Sequence, residues 1–371
     1  MIRNSLKMML LITGAIMVAI VVGMIVIRDR GVNTDVTAKT TRVGLILIGD
    51  RNDGSYNQAH YDAMMRIKDE LNLEIVCRDH VPEDESCAAV MEELIEEYGC
   101  RAIIAGSFGY GEYITKSAEG HPEVCFLHAT GTEKLTNLSS CMGRMYQARY
   151  LSGIVAGMRS ESGKIGYVAA FPYSEVIRGL NAFALGVRSV APEAEIHVRY
   201  INSWGDDTAA KMASEALLDI EPGIDVLAMH TDSLKPCEVA DQRGVWSIGY
   251  NMDNSSLFPD TYLTACEWKW DSCYREKILS CLQGKFHGEN VWIEMESGIV
   301  GLSELTKNVA DGTKEKLAEA NARFANRSFD VFYGPVRDNE GQLRIPEGES
   351  MSDEEMLNRF DWYVEGVIVE E

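Results

Sequence analysis

Apolar runs and amphipathic stretches alternate along the chain from residue 42 onward. Arg42–Ile48 (RVGLILI) is almost continuously apolar and is followed by a glycine, which is typical of a buried parallel strand that runs into a loop. Asn57–Asn72 then places large apolar residues at helical spacing, which predicts an amphipathic helix. The same alternation predicts strands at Glu74–Arg78, Arg101–Ser107 and Val124–Thr130 and helices at Ala88–Tyr98, Tyr113–Glu119 and Tyr146–Arg159.

A second series begins at Lys164–Ala170 (KIGYVAA) and repeats this rhythm. It predicts helices at Glu175–Val190, Asp207–Leu218 and Pro236–Arg243 and strands at Glu195–Asn202, Ile224–His230, Val245–Tyr250 and Tyr262–Glu267. Strands that alternate with helices predict an α/β fold in which helices cover both faces of a parallel sheet. Two series of similar length predict two lobes.

The predicted lobe boundaries follow from where the rhythm restarts and where the chain returns. Helix Ser272–Leu282 and strand Val291–Glu296 are expected to return to the first lobe. Lobe 1 is then residues 42–163 plus about 264–300, and lobe 2 is residues 164–263 plus about 301–371. The C-terminal stretch has a turn signal at residues 339–341 and a capping-box pattern that begins at Ser352, and we expect it to pack on lobe 2.

The N-terminal segment Met8–Ile27 contains no charged residue. At about 1.5 Å per residue it spans roughly 30 Å, which is the thickness of a hydrocarbon core. Arg3 and Lys7 precede it, so the N-terminus is expected in the cytoplasm and the rest outside. We therefore predict a cytoplasmic tip and transmembrane anchor in residues 1–28 and a linker in residues 29–41. A cleaved signal peptide remains the alternative, although no cysteine before Cys77 offers a lipoprotein cleavage site.

The net charge of −22 excludes one class of partner. Residues 1–41 carry +3, which leaves −25 for the rest of the chain. Such a surface repels phosphate backbones, so nucleic acid is not an expected partner.

Nine cysteines without any C-x-x-C pair exclude thioredoxin-like and zinc-ribbon motifs. Cys100, Cys125 and Cys266 lie in or beside apolar strands, so we expect buried thiols there. A bridge between Cys77 and Cys87 stays open as an alternative.

Ligands of open parallel sheets bind beyond the carboxyl ends of the strands. The loops predicted there are rich in aromatic, acidic and amide residues. The candidate ligand-binding residues are Tyr56, Asn57, Phe108, Glu112, Phe171, Trp204, Asp232, Asn251, Asp253, Trp268 and Trp270. Aromatic faces stack on flat ligands, and carboxylates and amides read ring nitrogens and amines. A nucleobase fits this set, and a sugar remains possible on the same chemistry.

Catalytic and cofactor motifs do not emerge from the chain. The glycines at 106, 109 and 111 depart from G-x-G-x-x-G, and neither a G-x-S-x-G elbow nor a P-loop is present. The aspartate-rich stretch at residues 50–54 lacks the closing glutamate of a calcium loop. We therefore predict no catalytic residue, no cofactor and no metal. A nucleoside hydrolase that uses the loop carboxylates is kept as the enzymatic alternative.

Ordered blocks over residues 42–371 resemble the basic-membrane-protein, or purine-nucleoside-receptor-like, family of ABC transporter substrate-binding proteins, most closely its adenine-type branch. The blocks are Gly166–Gly186 (GYVAAFPYSEVIRGLNAFALG), Tyr200–Asp206 (YINSWGD), Met229–Ser233 (MHTDS), Gly249–Asp253 (GYNMD), Leu263–Trp270 (LTACEWKW), Phe329–Val336 (FDVFYGPV) and Asp361–Val367 (DWYVEGV). This resemblance implies a type I periplasmic-binding-protein fold, with two Rossmann-like lobes around a central cleft.

The resemblance also implies residue roles. Tyr56-Asn57 matches the family's aromatic-Asn pair, which stacks on the base and hydrogen-bonds it. Glu112 stands where an aspartate reads the base edge, and Trp204 where the opposite stacking ring is expected. Asp232 and Asp253 match polar contacts from lobe 2.

One departure changes the expected ligand. Trp268 stands where nucleoside-binding members carry the lysine that holds the ribose, which favours a bare purine over a nucleoside. The family role implies delivery of the ligand to a permease and an ATPase subunit. A membrane-tethered sensor is the alternative.

Overall fold

Two large β-sheets, a small antiparallel sheet of two strands (Val336–Arg337 and Leu343–Ile345) and the packed helices make up the computed structural model, which describes residues 40–219, 223–326 and 328–370. The strands are β1 (Thr41–Ile46), β2 (Leu73–Arg78), β3 (Ala102–Ala105), β4 (Cys125–Ala129), β5 (Leu138–Gly143), β6 (Lys164–Ala169), β7 (Glu195–Tyr200), β8 (Val226–His230), β9 (Trp246–Asn251), β10 (Tyr262–Trp268), β11 (Asn290–Ile293), β12 (Val300–Leu302), β13 (Val336–Arg337), β14 (Leu343–Ile345) and β15 (Val367–Val369). The α-helices are α1 (Tyr56–Lys68), α2 (Glu85–Glu96), α3 (Gly111–Gly120), α4 (Met145–Arg159), α5 (Ser174–Arg188), α6 (Asp207–Leu218), α7 (Lys235–Arg243), α8 (Asp271–Leu282), α9 (Thr313–Ala325) and α10 (Asp353–Asn358).

The first sheet has the strand order β11-β5-β4-β3-β1-β2. Strand β3 pairs in parallel with β1 on one side and with β4 on the other. All four residues of β3 (AIIA) are buried, as expected for a central strand that helices cover on both faces. The predicted α/β architecture is confirmed for this lobe.

The second sheet has the order β12-β10-β9-β8-β6-β7-β15. Its central strands β6, β8 and β9 are parallel, whereas the short strand β12 runs antiparallel to β10. The last strand, β15, adds to the far edge in parallel with β7. The C-terminus of the described chain therefore belongs to the second sheet.

The lobe boundaries differ from the predicted ones in two places. Strand β10 pairs with β9 in the second sheet, so residues 264–268 do not lie in lobe 1. Helix α4 contacts β10 and α5, and its side chains join the core of the second lobe, although it was expected in lobe 1. The sequence pattern placed the boundary at Lys164, where the strand–helix alternation restarts. Helix α4, which precedes that restart, already packs on the second sheet. The predicted return to lobe 1 is confirmed, since β11 pairs with β5.

Helices α4 and α5 pack unusually closely through glycines. A Cβ atom on Gly153 of α4 would lie 2.1 Å from the carbonyl oxygen of Phe183. A Cβ on Gly186 of α5 would lie 2.0 Å from the carbonyl oxygen of Tyr150. Both distances are far below van der Waals contact, so larger residues at these positions would force the helices apart. The glycines of α4 and α5 therefore determine how closely these two helices of the second lobe pack.

The cysteine predictions need one correction. Cys125 forms a disulfide with Cys281, whereas the sequence predicted a buried thiol at Cys125. The partner lies 156 residues away on α8, and sequence pattern gives no sign of such a long-range pairing. Cys77 and Cys87 are buried free thiols rather than a bridged pair.

The C-terminal segment covers the second lobe. Phe360 and Trp362 are buried in its core. Ser352 and Glu355 form the predicted capping box at the start of α10, and Gly341, with a φ of 86°, closes the predicted turn.

The described residues contain neither a membrane-spanning helix nor a metal-binding cluster. No helix among them is long and apolar enough to cross a membrane, and no group of three metal-ligating side chains occurs among them. Residues 1–39, which contain the predicted anchor and all but the last two residues of the predicted linker at residues 29–41, lie outside the described part of the chain. Thr41, the last residue of that predicted linker, is instead the first residue of β1.

Candidate functional site

Loops from the two lobes touch at the carboxyl ends of their sheets. The side-chain amide Nδ2 of Asn251, at the end of β9, donates to Ser55 Oγ at 2.9 Å. Nδ2 of Asn254 donates to the carbonyl oxygen of Gly54 at 3.0 Å. Ligands of parallel sheets bind at these ends. We call the space beside this contact the interlobe cleft. Its first rim is residues 49–57, 107–111 and 130–133, and its second rim is residues 171–175, 202–206, 230–233 and 251.

Tyr56 is half-buried at the start of α1. Burial raises its pKa far above the usual range, and the negative charges of Asp232 and Glu175 add to this, so the phenol stays neutral. The Thr130 side chain opposes this rise. The Tyr56 ring stands edge-on to His60, with the centroids 4.6 Å apart. Tyr56 of the first rim thus lies within electrostatic reach of two carboxyl groups on the second.

Asn57 shapes the loop that presents Tyr56. Its Oδ1 accepts a hydrogen bond from the Gly49 amide at 3.1 Å, and its Nδ2 donates to Asp53 at 2.8 Å. A Cβ on Gly49 would lie 2.7 Å from this amide nitrogen, so only glycine fits there. Because both polar atoms of the Asn57 side chain have partners within the loop, Asn57 acts first as a structural residue.

Aromatic rings form the second rim. Trp204 is half-buried, and its ring lies 6.2 Å from that of Phe171 and 6.0 Å from that of His230. Phe171 in turn stacks on Tyr173 at 4.8 Å. The carbonyl oxygen of Trp204 accepts a hydrogen bond from the Asp232 amide at 2.7 Å. Trp204 and Asp232 are therefore held side by side.

Asp232 is the carboxyl group between the two rims. Its Oδ1 accepts a hydrogen bond from Asn251 Nδ2 at 2.7 Å. Burial raises the pKa of Asp232 to about 7, although the bond from Asn251 opposes the shift. The Oδ1 of Asn251 is buried and has no hydrogen-bond partner in the described part of the chain. Near neutral pH this pair can both donate and accept hydrogen bonds.

Trp268, the last residue of β10, and Trp270, just after it, are not available for stacking on a ligand. Trp270 is fully buried, and its ring stacks with those of Trp268 and His60 at 4.5 and 4.6 Å. Trp268 is also buried, and its indole nitrogen donates to the Tyr250 hydroxyl at 3.4 Å. Their apolar surface fills the core at the junction of the lobes, which their position in a sequence loop did not reveal.

Three further predicted residues point to solvent. Phe108 is 65% exposed. Glu112 forms a surface ion pair with Lys116 at 2.6 Å, and Asp253 accepts from the Ser255 amide at 2.8 Å in an exposed turn. The structure does not bring these three side chains together with Tyr56, Trp204 and Asp232.

Sequence reasoning missed a carboxylate that holds the first rim. Glu83, from the loop after β2, accepts hydrogen bonds from Ser107 Oγ at 2.5 Å and from the Gly109 amide at 2.8 Å. A Cβ on Gly109 would lie 2.3 Å from the Glu83 carboxyl carbon. The glycine-rich pattern around Gly109 was the sequence signal for this contact. The close approach of Glu83, rather than a phosphate site, explains why a glycine stands at position 109.

A buried histidine completes the first rim. His128 is fully buried; its Nδ1 lies 2.8 Å from Glu133, and its Nε2 lies 2.7 Å from the carbonyl oxygen of Ser107. The two ring nitrogens thus link Glu133 to the backbone of Ser107. The hydrogen bond from His128 lowers the pKa of Glu133 to about 2. This chain of contacts ties three loops into one fixed surface.

A buried arginine lies under the second rim. Arg149 of α4 is fully buried, donates to the Met229 carbonyl at 2.8 Å, and lies over the Tyr250 ring at 4.0 Å. Its Nε and Nη2 have no partner in the described residues. Burial raises the pKa of Glu175 nearby, and the charges of Arg178 and Arg149 limit the rise. A lone charge within the small and apolar stretch at residues 145–157 was the signal for this group.

The arrangement suits binding rather than bond breaking. It offers one half-exposed aromatic ring on each rim, a carboxyl group on the second rim and, among the described residues, an amide oxygen without a hydrogen-bond partner. Stacking on both faces and hydrogen bonding at one edge are what a flat heteroaromatic molecule needs.

Comparisons with known proteins show the family of the chain. Residues 40–329 match the model of the family described as ABC transporter substrate-binding protein, PnrA-like. A purine-binding protein of Brucella abortus is 32% identical over 328 residues, which are 88% of this chain and 92% of that protein. A putative ABC transporter glucose-binding protein of Haloferax volcanii is 33% identical over 333 residues, 89% of this chain and 81% of that protein.

The fold also matches a solved structure. The crystal structure of a transcriptional activator of the comK gene from Bacillus halodurans superposes with a TM-score of 0.69 at 25% identity. The match covers 78% of this chain and 99% of that one. The two-lobed architecture is therefore shared between proteins named for transport and for regulation.

Proposed function

The chain belongs to the PnrA-like family of ABC transporter substrate-binding proteins, and from that premise we propose that it captures an adenine-like purine base in the interlobe cleft. Members of this family bind ligands for transport and do not catalyse reactions. A small-molecule ligand and transporter subunits as partners follow from this membership.

One observation carries the purine proposal. Tyr56 of the first rim and Trp204 of the second both border Asp232, through its charge in one case and a backbone hydrogen bond in the other. A ring from each lobe can then cover one face of a base, and stacking on an aromatic contributes about 1–3 kcal/mol per base. With hydrogen bonds at one edge, the expected affinity is about micromolar, roughly −8 kcal/mol.

The edge chemistry favours an adenine-like base. Adenine presents an amino donor beside a ring-nitrogen acceptor. A protonated carboxyl group has the matching acceptor and donor, and the raised pKa of Asp232 keeps part of that form at neutral pH. The Asn251 amide oxygen adds a second acceptor for the amino group.

The position matched to the ribose lysine supports a base over a nucleoside. Trp268 stands there, and its indole is buried against Tyr250. A buried indole with one donor already in use cannot replace an ammonium group at two ribose hydroxyls.

Two alternatives remain as competing proposals. The relative from Haloferax volcanii is named for glucose, and a sugar also stacks on aromatic rings. The structural relative from Bacillus halodurans is named as a transcriptional activator, which favours a tethered ligand sensor as the second candidate role.

The proposal includes the cellular setting. The uncharged segment Met8–Ile27 supports a single membrane anchor, with the two lobes on the extracytoplasmic side, where closure around the ligand would present both lobes to a permease and its ATPase.

Isothermal titration calorimetry on the purified full-length chain tests the ligand. We expect adenine to bind with about micromolar affinity, adenosine at least tenfold more weakly, and glucose without measurable heat. Tight glucose binding without adenine binding would overturn the proposed ligand while leaving the family assignment intact.

A further inference from the structure

Two asparagines of the second lobe bind one loop of the first lobe. Asn251 Nδ2 donates to Ser55 Oγ at 2.9 Å, and Asn254 Nδ2 donates to the carbonyl oxygen of Gly54 at 3.0 Å. Ser55 and Asn251 are fully buried, and Asn254 is nearly so. A buried polar group that loses its partner has no water to replace it, so each of these hydrogen bonds is costly to break. The two bonds therefore join the lobes directly before Tyr56.

The loop of the first lobe is shaped for this contact. A Cβ atom on Gly54 would lie 3.1 Å from Leu234 Cδ1 of the second lobe. Gly54 also has a φ of 70°, in the region that favours glycine. The hydroxyl of Ser55 makes no capping hydrogen bond to α1, although Ser55 stands at the start of that helix. Residues 54 and 55 therefore serve the contact between the lobes rather than the end of α1.

The backbone of Asn251 adopts a conformation that costs energy. Its φ is 71°, in the left-handed region that residues other than glycine seldom adopt. Glycine would fit this backbone without strain but would bring no side chain. Strain of this kind persists only where surrounding contacts maintain it, and it is concentrated at functional sites. The amide group of Asn251 is therefore what this position gains over a glycine.

That amide group connects the contact between the lobes to the carboxyl group of the cleft. The two hydrogens of Asn251 Nδ2 are donated to Ser55 Oγ and to Asp232 Oδ1, at 2.9 and 2.7 Å. The amide oxygen is buried and has no hydrogen-bond partner in the described residues. A donor that bonds to this oxygen would polarise the amide and strengthen the two hydrogen bonds that its nitrogen donates. Ligand binding and lobe contact therefore meet at one side chain.

We propose that Asn251 is a latch that couples ligand binding to lobe closure: the ligand bonds to its amide oxygen, and its amide nitrogen holds Ser55 of the first lobe. The coupling rests on the proposed function, whereas the contact between the lobes does not depend on it. The apparent affinity of a binding protein scales with the fraction of molecules in the binding-competent arrangement. Loss of the bond to Ser55 therefore weakens ligand binding without removing any group that touches the ligand.

Hydrogen–deuterium exchange on the full chain tests the latch without a ligand. The variant is Ser55→Ala, which removes the acceptor on the first lobe and keeps the side chains of Asn251 and Asp232. We expect amides of residues 250–262, on the second lobe, to exchange about fivefold faster than in the wild type. A purely local disturbance at the start of α1 would leave that segment unchanged. Equal exchange of residues 250–262 in the variant and the wild type would overturn the latch.

Ser214→Ala is the matched control. Ser214 is as buried as Ser55, but its hydroxyl donates to the Ala210 carbonyl at 2.7 Å within α6, so exchange of residues 250–262 should stay as in the wild type. The same acceleration in this control would contradict the assigned pair. If Ser55→Ala does not fold, Ser55→Gly replaces it, because glycine suits both a helix start and the φ of −145° and ψ of −129° found there.

Calorimetric titration with adenine tests the coupling. We expect Ser55→Ala to bind adenine about fivefold more weakly than the wild type and Ser214→Ala do. Equal affinity in Ser55→Ala would overturn the coupling. A wild type that does not bind adenine would instead contradict the proposed ligand, and the exchange comparison would still decide whether Asn251 holds the lobes together.

Discussion

The two rims of the cleft hold their carboxyl groups in opposite ways. On the first rim, the hydrogen bond from His128 lowers the pKa of Glu133 to about 2. On the second, burial raises the pKa of Asp232 to about 7. Glu133 already has its hydrogen-bond partner in the protein and therefore stabilises the structure of the rim. Asp232 is buried without a counter-charge and is therefore available to bind a ligand.

The same contrast holds for the neighbouring polar atoms. Glu83 and Asn57 on the first side have protein partners within their loops. On the second, Asn251 Oδ1, His230 Nε2 and two nitrogens of Arg149 have none in the described residues. We infer that the first rim is a fixed wall and that the second rim reads the ligand.

The largest effect is expected on the first rim. Glu133 has a lowered pKa, so it stabilises the fold above the ordinary pKa of 4.5, and this contribution is lost as the pH falls from there toward 2. Because its side chain is 31% exposed, we expect Glu133→Gln to lower the free energy of unfolding at pH 7 by about 2 kcal/mol. Urea denaturation at pH 7 and pH 3 measures this difference, which should shrink at pH 3.

Glu112→Gln is the matched control for that substitution. Glu112 forms an exposed ion pair with Lys116, which water screens, so it contributes little to stability. Equal losses of unfolding free energy in the two variants would mean that the contact between His128 and Glu133 does not stabilise the first rim.

A smaller effect of opposite sign is expected on the second rim. Asp232 has a raised pKa, so the folded state binds its proton more tightly than the unfolded state does. Stability then decreases as the pH rises from about 4 toward 7. Relative to Asp232→Asn, the wild type should lose about 1–2 kcal/mol of unfolding free energy between pH 5 and pH 8. Urea denaturation measures the unfolding free energy of the two proteins across this range. The same pH dependence in both would contradict the proposed difference between the two rims.

The smallest effect separates the ring of Tyr56 from its hydroxyl. Because the Tyr56 hydroxyl interacts with the Thr130 side chain of the first rim, Tyr56→Phe keeps the stacking face and should change adenine affinity by less than about threefold. Calorimetric titration measures it, with Tyr56→Ala as the variant that removes the ring. A loss as large as that of Tyr56→Ala would show that the hydroxyl, not the ring, binds the ligand.

Much of the fold could be predicted because it is local. Alternating apolar runs and helical spacing identified most strands and helices of both sheets. Strand β5 (LSSCMG) was not predicted, because its polar residues interrupt any apolar run. The lobe boundary was harder to predict. Strand β10 belongs to the second sheet because it pairs with β9, and hydrophobic periodicity does not indicate which strands pair.

The site was predictable only in part, for a similar reason. Strand ends indicated Tyr56, Trp204 and Asp232; the Asp232 amide donates to the Trp204 carbonyl oxygen, and the charge of Asp232 acts on Tyr56. The same rule also selected Trp270, although long-range packing against His60 buries its ring. The disulfide of Cys125 was missed because it spans 156 residues.

The central claim is that a purine lies between Tyr56 and Trp204, and one paired calorimetric measurement tests it. Adenine is titrated into Trp204→Ala and into Trp246→Ala, a half-buried tryptophan at the opposite end of β9 that stacks on Arg159 at 3.8 Å. We predict that Trp204→Ala weakens adenine binding at least tenfold, in line with about 1–3 kcal/mol of stacking, and that Trp246→Ala leaves it within about twofold. Unchanged affinity in Trp204→Ala would contradict the account.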